Sequence, residues 1–121
     1  MKRKTIPSAL HNFERSFLSF NNYVDGVFIL DLLPEVVRRS GGRLDIHFPS
    51  GRVEPPGDVP EALAKSIGYW SNDLPKHLGN HGIPMTVLGD VVLRITLTAS
   101  GMRREVHATD ELGRDYVATV A

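Results

Sequence analysis

Val91, Leu93, Ile95 and Leu97 fall on one side of an extended chain, and Val92, Arg94, Thr96 and Thr98 on the other. Successive side chains of a strand point to opposite faces. The alternation therefore predicts a strand over 91–99 with one face on a core and the other toward water. The next twenty residues repeat the pattern. Ser100-Gly101 predicts a tight turn, and 103–109 a second strand with Arg103, Glu105 and His107 on one face and Arg104, Val106 and Ala108 on the other. A hairpin loop at 110–113, with Gly113 near its end, leads to a third strand over 115–120, with Tyr116, Ala118 and Val120 facing inward. A short apolar segment at 85–88 reads as a further strand, with Gly89-Asp90 as a turn or bulge.

A sheet with one apolar face needs a cover, and the first two-thirds of the chain supply helices. Over 8–20, Ser8 suits an N-cap, and Leu10, Phe13, Phe17 and Phe20 recur at helical spacing, with Glu14 and Arg15 on other faces. Asn21-Asn22 closes that segment. Over 25–40 two readings stand. One is a short strand at 27–30 after an Asp25-Gly26 turn, then a helix over 32–40 capped by Asp31. The other is a single helix kinked at Pro34. Leu44, Ile46 and Phe48 alternate with Arg43, Asp45 and His47, which predicts a strand over 43–48. Pro55-Pro56-Gly57 marks a loop. Leu63, Ile67, Trp70, Leu74 and Leu78 form a long apolar stripe, and Pro75 predicts a break in that helix near 71–73. The expected architecture is α+β: a C-terminal antiparallel β-meander packed against two or three helices, in one domain spanning 1–121.

Composition narrows the function classes. A chain of 121 residues lies in the size range of one domain. The absence of cysteine excludes a disulfide scaffold, a thiolate zinc site and a cysteine nucleophile. The 14 basic and 14 acidic residues balance, but unevenly. Lys2, Arg3 and Lys4 give the segment 1–6 the character of a flexible basic arm, and the rest of the chain is mildly acidic. Three cations are few for phosphate binding, whose strength grows with the number of charges engaged, so nucleic acid is not an expected partner. No apolar run reaches the length of a signal-peptide core or a membrane span. A cytoplasmic location without membrane contact is the expectation, and nothing in the chain calls for a cofactor.

Several residues carry candidate chemistry. Asp73, His77 and His81 recur at four-residue spacing, which on a helix would align three possible metal ligands. Leu78 follows His77 where the zinc-protease pattern needs Glu, and the apolar stripe ends near Gly79, which favours histidines at an exposed helix end. His47 and His107 each stand two residues from a carboxylate, Asp45 and Glu105, on the expected outward strand faces. Adjacent strands would bring them into an acid–base cluster. Arg38, Arg39, Arg43 and Arg52 are candidate anion contacts. Phe13, Phe17, Tyr23 and Tyr69 are candidate interaction residues, because aromatic side chains are enriched at interfaces; core packing is the plainer reading for the two phenylalanines. These residues support two functional readings. The first is a non-catalytic interaction or accessory protein whose partner is another protein, including a second copy of itself as a homodimer. The second is a small metal-dependent or acid–base hydrolase using His77/His81 or His47/His107.

Overall fold

The structure, a computed structural model, describes residues 5–120, without the side chains of Met85 and Val120. It is an α+β fold in which a five-stranded antiparallel sheet packs against three helices. In chain order the elements are α1 (Ile6–Phe17), β1 (Tyr23–Val24), β2 (Val27–Phe28), α2 (Ile29–Arg39), β3 (Arg43–Phe48), β4 (Val53–Glu54), α3 (Glu61–Asn80), β5 (Val91–Thr98), β6 (Gly101–Thr109) and β7 (Asp115–Val120). The sheet order is β4-β3-β5-β6-β7, and β1 and β2 form a separate hairpin.

The register confirms the two-face pattern. Ile46 pairs with Leu93, Leu93 with Val106, and Val106 with Ala118, so one row of buried apolar side chains crosses four strands. On the opposite face Asp45, Arg94, Glu105 and Thr119 form a polar row, and His47, Val92, His107 and Val117 a mixed one; Asp45 and His47, expected toward water, are buried there among neighbouring side chains. Burying a large aliphatic side chain contributes about 1.5–3 kcal/mol, which is why the alternation dictates the register.

The helices differ from expectation at their ends. α1 starts and stops earlier than 8–20. Ile6, expected in the basic arm, opens it and is fully buried, while Lys2, Arg3 and Lys4 lie outside the described residues. Glu14, expected on a solvent face, is 1% exposed. The helix ends at Phe17, so Phe20 leaves the apolar stripe and is 72% exposed. The segment 25–40 is a hairpin followed by a helix. Asp25 and Gly26 both have positive φ (52° and 83°), the geometry of a two-residue turn that matches strand twist. The strand stops at Phe28, and α2 begins at Ile29, ahead of Asp31. Gly42 N donates to the Val37 carbonyl at 2.9 Å with Gly41 at φ 85°, a glycine closure of α2.

α3 runs unbroken for 20 residues through Pro75, where the sequence predicts a break. An internal proline costs about 3 kcal/mol. Leu74 and Leu78 are both fully buried, and their burial, at about 1.5–3 kcal/mol each, outweighs that cost. The expected strand at 85–88 is instead a single 3-10 turn, Met85–Val87, with an isolated bridge from Leu88 to Asp110.

Candidate functional site

A cleft of about 610 Å³ opens between the end of α1, the β1–β2 hairpin and the middle of α3. That volume is in the range of small-molecule and side-chain binding sites. Its wall includes Ser16, Ser19, Asn22, Tyr23, Lys65, Ser66, Tyr69 and Trp70. The floor is fixed by buried polar groups. Asn22 Nδ2 donates to the Phe17 carbonyl at 2.8 Å, satisfying a backbone acceptor that α1 leaves free at its end. Ser66 Oγ donates to Asn22 Oδ1 at 3.0 Å, tying that end to α3.

Tyr23, Tyr69 and Trp70 give part of the cleft an aromatic lining. Tyr23 and Phe28 are cross-strand partners in the hairpin, with ring centroids 4.7 Å apart. Tyr69 stands edge-on to Trp70 at 5.6 Å, and Trp70 in turn meets Phe13 and Phe17 at 6.1 and 6.4 Å. A continuous aromatic chain therefore joins the cleft to the core. Phe20, between the cleft residues Ser19 and Asn21, Tyr23, Phe28 and Tyr69 are all exposed large apolar side chains. Lys65 stands at the wall within 2.6 Å of Asp25 and 3.4 Å of Glu61, and its hydrogen bond to Asp25, above all, holds its ammonium above the usual lysine range.

The four aromatic candidates thus divide. Tyr23 and Tyr69 line the cleft. Phe13 and Phe17 are fully buried, packed edge-on against Phe48 at 5.0 and 5.5 Å, and their role is in the core. A helical stripe read from sequence cannot separate packing from presentation; Phe13 and Phe17 face inward because α1 lies on the sheet. Phe20 and Phe28 fall outside the expected interaction set. The sequence puts Phe20 on the apolar stripe and Phe28 in a buried strand; Phe20 is exposed because α1 ends at Phe17, and Phe28 because β2 pairs with β1 in a hairpin apart from the five-stranded sheet.

The four candidate histidines fall in two places. His77 and His81, at the end of α3, have ring centroids 5.3 Å apart. His77 is partly buried against Phe13, with no hydrogen-bond partner for Nε2 among the described residues, rather than lying free at an exposed helix end. Burial, and then the neighbouring His81, push its imidazole below the usual histidine range, against opposing effects of the Ala9 backbone and Asp73. Among the described residues, no three His, Asp or Glu side chains gather as a metal site, so Asp73 does not complete a triad with the two histidines.

His47 and His107 share the open face of the sheet, but β5 lies between their strands and Val92 between their positions. Two strand spacings put them about 9.6 Å apart along the sheet. Arg52 Nη2 donates to His47 Nδ1 at 3.3 Å, and Glu54 and Asp90 each lie 3.8 Å from that imidazole. His107 Nε2 is 3.7 Å from Glu105. Ser50 Oγ donates to Asp90 Oδ2 at 3.3 Å, so the carboxylate stands between hydroxyl and imidazole. In a nucleophilic triad the imidazole takes the middle place, because it must receive the hydroxyl proton. This order sets a carboxylate, not the imidazole, next to the Ser50 hydroxyl.

Each candidate arginine has a carboxylate partner. Glu35 accepts from Arg38 at 2.6 Å and from Arg39 at 2.9 Å, Asp45 accepts from Arg43 at 3.2 Å, and Glu54 pairs with Arg52. These pairs cancel much of the positive field that would draw an anion. Asp45 also accepts from Arg94 at 3.0 and 3.2 Å. Burial pushes the Asp45 carboxyl up, but the hydrogen bonds from Arg94 and Arg43 together outweigh it and hold the group below the usual carboxylate range.

Among the described residues, no helix is long and apolar enough to cross a membrane. Comparison with protein-family models, with curated proteins and with solved structures returns no match for this chain.

Proposed function

We propose that this protein is a non-catalytic interaction module that takes an apolar side chain of a protein partner into the cleft between α1, the β1–β2 hairpin and α3. One observation carries the reading: Tyr23 and Tyr69, both exposed, line a cleft of about 610 Å³ whose polar floor is already hydrogen-bonded, and the exposed Phe28 packs on Tyr23. Exposed aromatic groups around a pocket are where binding energy concentrates at interfaces. Tyrosine suits the task because its ring adds contact area while its hydroxyl stays in water. The open sheet face supports this reading indirectly, since its histidines lack a hydroxyl positioned for activation and its arginines are paired.

Selection of peptides from a displayed random library, followed by titration against the emission of the single Trp70, tests this directly. Binders are expected to change Trp70 emission and to lose roughly tenfold or more in affinity in Tyr23→Ser and Tyr69→Ser, as interface anchors do. Binding that ignores both substitutions overturns the reading. So does stoichiometric zinc lost in His77→Ala, or a hydrolytic activity lost in His47→Ala or His107→Ala, either of which would favour a metal-dependent or acid–base hydrolase.

A further inference from the structure

β7 closes one end of the sheet, and among the described residues no strand pairs with its outer side. The hydrogen-bond phase of the β6–β7 ladder is set by one contact: Asp110 N donates to the Arg114 carbonyl at 2.9 Å. Antiparallel ladders alternate bonded and non-bonded pairs, so Ala108/Tyr116 and Val106/Ala118 are the bonded pairs. The backbone N–H and C=O groups of Asp115, Val117 and Thr119 then point away from β6. All three residues are exposed, and Val117 is 47% exposed.

The two ends of the sheet are treated differently. β4 is only two residues long, with Arg52 before it, Glu54 in it and Pro55-Pro56 after it. Short length, charge and proline are the usual devices that keep an edge from pairing. β7 has six residues, no lysine, arginine or proline, and Asp115 as its single charge.

We infer that β7 pairs antiparallel with β7 of a second copy of this chain about a two-fold axis at Val117, joining two five-stranded sheets into one. The strand is complementary to itself in that register. Val117 faces Val117, and Asp115 of each copy faces Thr119 of the other, so the two carboxylates never meet. These are the outward-pointing residues, and each facing pair exchanges two main-chain hydrogen bonds. On the core side the same register sets Tyr116 against Ala118, large against small. On the open side it sets two exposed β-branched side chains together, a favourable cross-strand pair. A two-fold interface requires one patch to fit itself, and this edge does.

Sedimentation and light scattering of the full chain over a wide concentration range test the inference. The expected result is a dimer that becomes monomeric in Val117→Lys, which sets two ammonium groups opposite each other. Thr119→Pro, which removes an outward N–H outside the β6 ladder, is expected to do the same. Circular dichroism and Trp70 emission of both variants establish that they fold. Val117→Cys adds a lone thiol to a cysteine-free chain. A bonded antiparallel pair has Cα atoms about 5.5 Å apart, within disulfide range. Mild oxidation should therefore give a covalent dimer with Val117→Cys and not with Leu112→Cys in the exposed hairpin loop. A wild-type chain that is monomeric throughout, equal cross-linking at 112 and 117, or a dimer abolished by Tyr69→Ser but not by Val117→Lys would overturn the inference.

Discussion

Asn22 and Ser66 join the end of α1 to the middle of α3 through a buried hydrogen bond of 3.0 Å, and the same Asn22 amide holds the Phe17 carbonyl. This one side chain serves as the cap of a helix and as a floor of the cleft. Truncation in Asn22→Ala leaves both partners without it, and an unsatisfied buried polar group costs about 1–3 kcal/mol. Urea unfolding followed by Trp70 emission should show a loss of that size. Asn22→Asp, which keeps the acceptor for Ser66 but loses the donor to Phe17, should also be destabilised.

Glu14 is 1% exposed on the core side of α1, with Arg104 Nε 3.7 Å from its Oε1. Burial raises the Glu14 carboxyl above its ordinary value, and Arg104, then His11 and Arg15, pull it back. Arg104→Met removes the largest of these opposing charges and should destabilise the fold near pH 8, where the carboxylate is buried with less compensation. Because the folded-state value is raised, the native state takes up its proton first as pH falls, and the penalty should shrink on acidification. Denaturant midpoints of wild type and variant, compared at pH 8 and pH 5, check both the loss and its sign.

His77 is held below its ordinary value of 6.5, chiefly by burial. Between that lowered value and 6.5 the unfolded chain binds more protons than the folded one, so stability rises with pH through the window. It falls as pH drops below 6.5 toward the folded-state value. Replacement by phenylalanine keeps a ring against Phe13 and removes the titration. Thermal midpoints across pH 5–8 should slope less in His77→Phe than in wild type.

Pro75 is exposed inside an unbroken α3. Pro75→Ala restores a donor for the Ser71 carbonyl and removes the ring clash, and should stabilise the protein by about 1–3 kcal/mol. A rise in the urea midpoint without a change in slope is the expected signature.

How far the sequence reaches is clearest at the strands and weakest at element ends. The inward set of β5 is read correctly from alternation, because only one register buries Val91, Leu93 and Ile95 together. The path of α3 through Pro75 is not, because that outcome depends on how deeply Leu74 and Leu78 are buried. Of the candidate site, Tyr23 and Tyr69 are legible as aromatics off the apolar stripes. Phe20 and Phe28 are not, since their exposure depends on where α1 stops and on β1 and β2 forming a hairpin apart from the main sheet. Asn22, Ser66 and Lys65 belong to the cleft through pairings 40 or more residues apart, which no local pattern encodes.

The sequence by itself determined that a half-buried antiparallel sheet stands at the C-terminal end under amphipathic helices, because periodicity is a local property that one-sided burial imposes on every strand and turn. Tertiary structure alone decided what the polar residues do. It set β5 between His47 and His107, placed Asp90 between Ser50 and His47, brought Arg94 onto Asp45, and turned Tyr23 and Tyr69 toward one cleft. The candidate arginines meet carboxylates within four residues along the chain, but these long-range contacts and the pocket's shape depend on distances across the fold, which exist only once the elements have packed.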